Sequence, residues 1–180
     1  QGELSMEKEL EILTHIQENE HITQREIAEK TGLSLGAVNL LLKKMIKTGL
    51  IKIERLNART LKYILTPEGI KEKTAKTYHF IVRTYETITR IQAVAKLILE
   101  KQRKNGIKTI YLYGKEDEVY NVLRITISDI IGTLDMECQL LNDIDSIKEK
   151  EGFMILIWND DKKNTVKEKD LPYINILSIL

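Results

Sequence analysis

The sequence predicts an α+β chain in three parts: a small helical head closed by a strand hairpin, a long helix, and a compact α/β unit. Three observations carry this reading. Two helix-start signals follow each other closely at Thr23 and Ser34. A helical pattern then runs without an interior proline from residue 67 to about 104. After Asn105-Gly106 the texture changes to short β-rich runs separated by one amphipathic helix.

The head opens with an amphipathic helix over 4–18, where Leu4, Leu10, Ile12, Leu13 and Ile16 recur at mostly helical spacing between acidic residues. Thr23-Gln24-Arg25-Glu26 has the form of a capping box: the Thr hydroxyl caps the helix start and the Glu reaches back. Ile27 and Ala28 form the inner face of that short helix, and Gly32 supplies a left-handed stop. Ser34 is a good N-cap for a third helix reaching about Thr48, ended by Gly49. Two strands, 50–56 and 60–66, flank the turn Asn57-Ala58-Arg59. Thr66-Pro67-Glu68 then starts the long helix, with a cap, a proline at the first position and an acid in the first turn. At 1.5 Å per residue that helix is a rod of ~57 Å.

Beyond residue 106 the sequence gives a strand over 107–113, a helix over 116–131, strands over 134–141 and 153–158, and a last strand over 173–180. The unbroken apolar run 153–158 marks a strand covered on both faces. A small, mostly parallel, Rossmann-like sheet follows from that order. The expected division is therefore a head at 3–66, a linking helix at 67–105 and an α/β unit at 106–180.

Composition narrows the class. With 42% hydrophobic and 31% charged residues, the chain is expected to fold as a soluble globule. No apolar run approaches the ~20 residues of a membrane span, and no secretory leader is visible. Gln1-Gly2 reads as the remnant of a cleaved tag and stays outside the fold reasoning. Cys138 is the single cysteine, so an internal disulfide is excluded and a reducing cytoplasm is the expected setting. The net charge is only +1, but residues 34–66 carry a net +6 and 67–104 a net +5, between ends of −5 each. A basic middle between acidic ends suits one surface that meets a polyanion.

The phrases "ITQREIAEKTGLSLGAVNLLLKKMIKTGLIKIE" (22–54) and "YILTPEGIKEKT" (63–74) clearly resemble the MarR-like winged helix-turn-helix regulators of bacteria and archaea. The second phrase is especially similar to regulators associated with polysaccharide gene clusters. The resemblance covers roughly residues 5–80. It implies a transcription regulator that binds double-stranded DNA, with the third helix in the major groove and the hairpin as a basic wing.

The residues support this separately. Within 34–48, Val38, Leu41, Leu42 and Met45 form a stripe toward the first two helices. The complementary face presents Gly36, Asn39 and Lys43, with Ser34 at its tip. An Asn amide can pair with adenine through two hydrogen bonds, and Gly36 leaves room for the DNA backbone. Arg59 at the hairpin tip has the reach for a phosphate or a minor groove. Thr23 and Gln24 stand where a helix start meets phosphate. Leu40 and Ile46 depart from the family habit, since polar and charged residues are usual there. Packing against the wing or the long helix is the expectation for both. A solvated basic face, or a protein-interaction module, is the alternative reading of this region.

Along the rod, Tyr78, Ile81, Tyr85, Ile88, Gln92, Ala95, Leu99 and Gln102 follow a 3-4 repeat, widened by Val82, Ile91, Val94 and Ile98. A homodimer seam is the expectation, with Gln92 fixing register. Packing on the chain's own domains is the alternative.

In the α/β unit, a strand, Gly114 and a helix invite a dinucleotide-binding reading. The required later glycines are replaced by Glu116 and Val119, and Glu116-Asp117-Glu118 occupies the helix start that a phosphate needs. No cofactor is therefore expected, and a sensor or assembly role is the reading. A ligand- or nucleotide-binding unit with an appended DNA-binding head stays as the alternative. Acids at the strand ends (Glu116, Asp117, Glu118, Asp143, Asp145, Asp160, Asp161) form a rim suited to Mg²⁺ or Ca²⁺, or else are solvated loop acids. A divalent cation or small effector is thus an open partner of this unit. His15, His21 and His79 lack zinc spacing, Cys138 reads as a small buried hydrophobe, and no catalytic constellation is visible. An enzyme is not expected.

Overall fold

The computed structural model describes residues 2–55, 57 and 61–180, with the side chains of residues 2–4 excepted. The chain divides into two compact units, 1–84 and 85–180, with the division inside one helix.

In the first unit, α1 (Gly2–Glu18), α2 (Gln24–Thr31) and α3 (Leu35–Lys47) precede the antiparallel hairpin β1 (Ile51–Arg55) and β2 (Leu61–Leu65). The caps sit where the sequence places them. Thr23 accepts from the Glu26 amide while the Glu26 carboxylate takes the Thr23 amide, and Gly32 adopts φ 68°. Ser34 Oγ accepts from the Ala37 amide at 3.2 Å. The core joins Ile12, Leu13 and Ile16 of α1 to Ile27, then to Val38, Leu42 and Met45 of α3, and finally to Ile51 and Tyr63 of the hairpin. Ile46 packs half-buried on this core, whereas Leu40 is not part of it and is 70% exposed. The turn residues Ala58 and Arg59 lie outside the described residues.

The long helix α4 (Pro67–Lys104) starts on a joint built by Thr66. The Thr66 hydroxyl accepts from the Gly69 amide and donates to the Gly49 carbonyl at 2.6 Å, while the Thr66 amide donates to Leu50. Gly69 is needed here for closeness rather than for its dihedrals. A Cβ at this position would lie 2.1 Å from the Leu50 carbonyl oxygen.

The second unit holds a four-stranded, all-parallel sheet in the order β4-β3-β5-β6. Its elements are β3 (Thr109–Leu112), α5 (Glu118–Ile131), β4 (Glu137–Leu140), β5 (Phe153–Ile157), α6 (Lys163–Glu168) and β6 (Tyr173–Asn175). Strand alternation sends Ile110, Leu112, Leu156 and Trp158 to one face, against Ile91, Ala95, Ile98 and Leu99 of α4 and Leu123 and Ile127 of α5. Tyr111, Tyr113, Phe153, Ile155 and Ile157 go to the other face, with Val166 of α6. This is the two-sided burial expected for 153–158. The strands expected over 134–141 and 173–180 shrink to Glu137–Leu140 and Tyr173–Asn175, each adjoining a 3₁₀ turn, Gly132–Leu134 and Ile176–Ile179.

Replacing Gly69 by alanine sets two effects against each other. Helix propensity favours alanine by about 0.5–1 kcal/mol, and the contact with Leu50 opposes it. At 2.1 Å from a backbone oxygen the clash wins. Gly69→Ala is expected to destabilise the head by about 1–3 kcal/mol. Urea unfolding followed by circular dichroism measures this, and a variant as stable as the parent contradicts the joint described.

Candidate nucleic-acid interface

The outward side of α3 follows from its buried side. Val38, Leu42 and Met45 face the core, so the opposite arc carries Gly36, Leu40, Lys43 and Lys47, with Asn39 half-buried at its flank. Ser34 stands exposed at the start of the same arc. A Cβ at Gly36 would meet no atom within 4 Å, so the protein itself leaves that space open. Lys43 and Lys47 are exposed and form no ion pair among the described residues. Lys47 belongs to this arc although the sequence reading did not single it out. Its position one turn beyond Lys43 was the available signal.

Three cations of the basic middle, Lys44, Lys62 and Lys76, are paired internally. Lys44 Nζ lies 2.6 Å from the Glu9 carboxylate, and Lys76 Nζ of α4 lies 3.0 Å from its other oxygen and 3.1 Å from Glu72. Glu9 is only 7% exposed. Burial pushes its pKa up, but the hydrogen bonds and charges of Lys44 and Lys76 outweigh that and hold it below its ordinary 4.5. For Lys76, burial lowers the pKa, and the bonds to Glu9 and Glu72 reverse this and raise it. Lys62 of β2 pairs with Glu20 at 2.9 Å.

The helix start at Thr23 is also occupied. The Glu26 carboxylate receives both the Thr23 amide at 2.7 Å and the Thr23 hydroxyl at 2.8 Å, and these bonds lower the Glu26 pKa. Gln24 Nε2 donates to the Tyr63 hydroxyl at 3.1 Å. Thr23 and Gln24 therefore serve the head's own structure, and an anion already sits at the site foreseen for phosphate. The structure brings Ser34, Gly36, Asn39 and Lys43 onto one surface of α3. Arg59 falls outside the described residues.

Residues 7–52 match the winged helix-turn-helix DNA-binding family. The head is a winged helix-turn-helix. No curated protein sequence is significantly similar to the chain. Among solved structures, a MarR family protein of Mycobacterium tuberculosis, Rv2887, in complex with salicylic acid, is similar at 20% identity. That match covers 52% of this chain and 74% of the other with a TM-score of 0.41. MepR, a transcription regulator of the Staphylococcus aureus multidrug efflux pump MepA, is similar at 17% identity, over 71% and 78% of the two chains with a TM-score of 0.42. In this winged helix-turn-helix the hairpin is anchored through Tyr63. Its ring is buried, and its amide donates to the Glu20 carbonyl at 2.8 Å.

Two further expectations meet the structure in the second unit and on α4. Ala95 and Leu99, assigned to a dimer seam, are fully buried in the unit's own core, as Ile91 and Ile98 nearly are. Gln92 is half-buried beside them, and Tyr78, Ile81 and Tyr85 stay largely exposed, with Ile88 half-buried. The acids at the strand ends are dispersed: Asp117 caps α5, Asp143 caps a 3₁₀ turn, Asp145 pairs with Lys169, and Asp160 pairs with Lys163. Among the described residues, no cluster of three or more metal-binding side chains occurs. No described helix is long and apolar enough to cross a membrane. At the crevice where the strand order reverses, the Trp158 indole stacks on Tyr120 and donates to the Lys115 carbonyl at 3.2 Å. A Cβ at Gly114 would lie 2.6 Å from that ring, so glycine is what lets the chain pass the indole here.

The Glu9 network predicts an acid-sensitive head. A carboxylate with a depressed folded pKa contributes stability above 4.5 that is lost as pH falls through its lower folded value. Lys76, with a raised pKa, contributes below 10.5 and loses that as pH rises through its folded value. Glu9→Gln should cost about 1–3 kcal/mol at pH 7, in line with hydrogen bonds to charged groups. The gap to the parent should narrow as pH falls below 4.5 and through the lower folded value. Urea midpoints across pH test this, and a gap independent of pH contradicts it.

Proposed function

We propose that the winged helix-turn-helix binds double-stranded DNA sequence-selectively, as the reading head of a dimeric transcription regulator. The observation that carries this is the division of the cations. Lys44, Lys62 and Lys76 are neutralised within the head, whereas Lys43 and Lys47 stand free beside Gly36 and Asn39 on the outward arc of α3. The match of residues 7–52 and the MarR-like phrases support the same reading. Asn39 reads a base edge, Ser34 and Lys43 meet phosphate, and Arg59 of the wing meets phosphate or the minor groove. Leu40, at the centre of the arc, presents an apolar surface suited to a thymine methyl group.

Asn39→Ala is expected to cost about 1–3 kcal/mol on the preferred site and to relax selectivity at one base pair. Lys43→Ala should weaken all duplexes alike and lower the salt slope by about one unit per subunit. Replacing thymine by uracil at the Leu40 contact should weaken the parent but not Leu40→Ala. Titrations on selected and random duplexes at several salt concentrations decide this. If these variants bind as the parent does, the exposed Leu35 and Leu40 favour a protein-interaction module instead.

Dimerisation is proposed through the exposed Tyr78, Ile81 and Tyr85, which recur at 3-4 spacing on α4. Ala95 and Leu99 are excluded from that seam by their burial in the chain's own core. Polar replacement of Ile81 and Tyr85 should shift the solution mass from dimer to monomer in analytical ultracentrifugation. An unchanged dimer mass moves the interface elsewhere.

A further inference from the structure

In the second unit, the last turns of α4 and the chain around β6 line a half-open cavity of about 230 Å³. Val94, Leu97 and Ile98 form the α4 wall, and Ile174 and Ile179 form the opposite one. Leu97 and Ile179 are exposed at the rim, and Ile98 is buried. All five are aliphatic, so the wall offers no ring for stacking. Two polar residues complete it, Lys101 and Gln102.

These two differ from the polar residues elsewhere in the unit. Gln102 is 6% exposed, yet its side-chain amide has no hydrogen-bond partner among the described residues. Buried amides are normally satisfied. This one is not sealed away from all space, because the single fully enclosed polar atom lacking a partner among the described residues is Asn159 Oδ1. Gln102 thus lines the cavity with a side-chain amide that is nearly buried but not fully enclosed. Beside it, the exposed Lys101 ammonium pairs with no acid among the described residues. Helical spacing places Lys101 and Gln102 one turn beyond Leu97 and Ile98, at the end of the apolar wall.

We propose that this cavity binds a small aliphatic carboxylate. The alkyl chain lies along Val94, Ile98 and Ile174, and the carboxylate accepts from Lys101 Nζ and Gln102 Nε2. Size agrees: an apolar cavity of about 150 Å³ takes benzene, so this one takes roughly eight to ten non-hydrogen atoms. Charge selects the head group. A neutral chain leaves the ammonium unpaired, and an amine is repelled by it. The inference rests on residues of the second unit alone, so it stands or falls separately from DNA binding and from the α4 dimer.

The experiment is calorimetry of the full chain with octanoate, octanol and octylammonium, with the mass in solution measured alongside. Octanoate is expected to bind once per chain, octanol about tenfold more weakly or worse, and octylammonium not at all. Lys101→Ala, at an exposed position, should abolish the preference for octanoate over octanol. Leu97→Glu, also exposed, sets an anion at the rim and should weaken octanoate by about tenfold or more. Both variants should keep the parent's circular dichroism. Failure of octanoate to bind, equal binding of octanoate and octanol by the parent, or an unchanged preference in Lys101→Ala overturns the assignment. A parent dimer that Leu97→Glu converts to monomer, without octanoate binding, assigns the cavity to a second copy of the chain and overturns it equally.

Discussion

The head depends on one buried carboxylate. Glu9 sits on α1 and holds Lys44 of α3 and Lys76 of α4 by separate oxygens. A carboxylate this buried is costly unless both oxygens are satisfied, and here two cations satisfy them. The arrangement fixes how α3 lies on α1, and it removes Lys44 from the set of cations free to meet an anion. On α3 the exposed, unpaired charge is thereby left at Lys43 and Lys47, on the side of the helix away from the core. The Thr66 joint acts at the other end of the same unit, tying the hairpin to the start of α4 through Gly49, Leu50 and Gly69.

Local signals told the truth about the head because its chemistry is local. A hydroxyl and a carboxylate three residues apart are a capping box at Thr23 whatever lies around them, and Ser34 caps α3 for the same reason. What the sequence hid were partners distant along the chain. Gln24 looked free for phosphate, but Tyr63, far along the chain, takes its amide. Lys44 and Lys62 looked like two more cations of a basic face until their partners Glu9 and Glu20 came into place. Leu40, an apolar residue where the family is usually polar, was expected to pack on the wing or the long helix, and it stands 70% exposed on the outward arc.

Periodicity misled in the second unit where two causes produce one pattern. A 3-4 apolar repeat marks any helix face that is buried, whether by a partner or by its own sheet. The repeat along α4 runs on past Tyr85 without a break, yet Ala95 and Leu99 belong to the sheet's own core. Alternating apolar residues over 134–141 and 173–180 likewise fit both a strand and a 3₁₀ turn, and the structure uses each in part. The short helix α6 went unseen because Val166 is its single buried residue. At Gly114 the close approach is to the Trp158 ring, a partner distant along the chain.

Cys138 lies on β4, an edge strand of the parallel sheet, with its side chain against the α5 side of the core. Burial pushes its thiol up to about 11, so almost none of it is thiolate at neutral pH. It is also the sole cysteine of the chain. Alkylating reagents in water therefore meet one half-buried sulfur, and they meet it almost entirely as the unreactive thiol. The slow reaction of that single thiol thus reports the chemistry of one place on the sheet edge, with no second thiol to confuse the count.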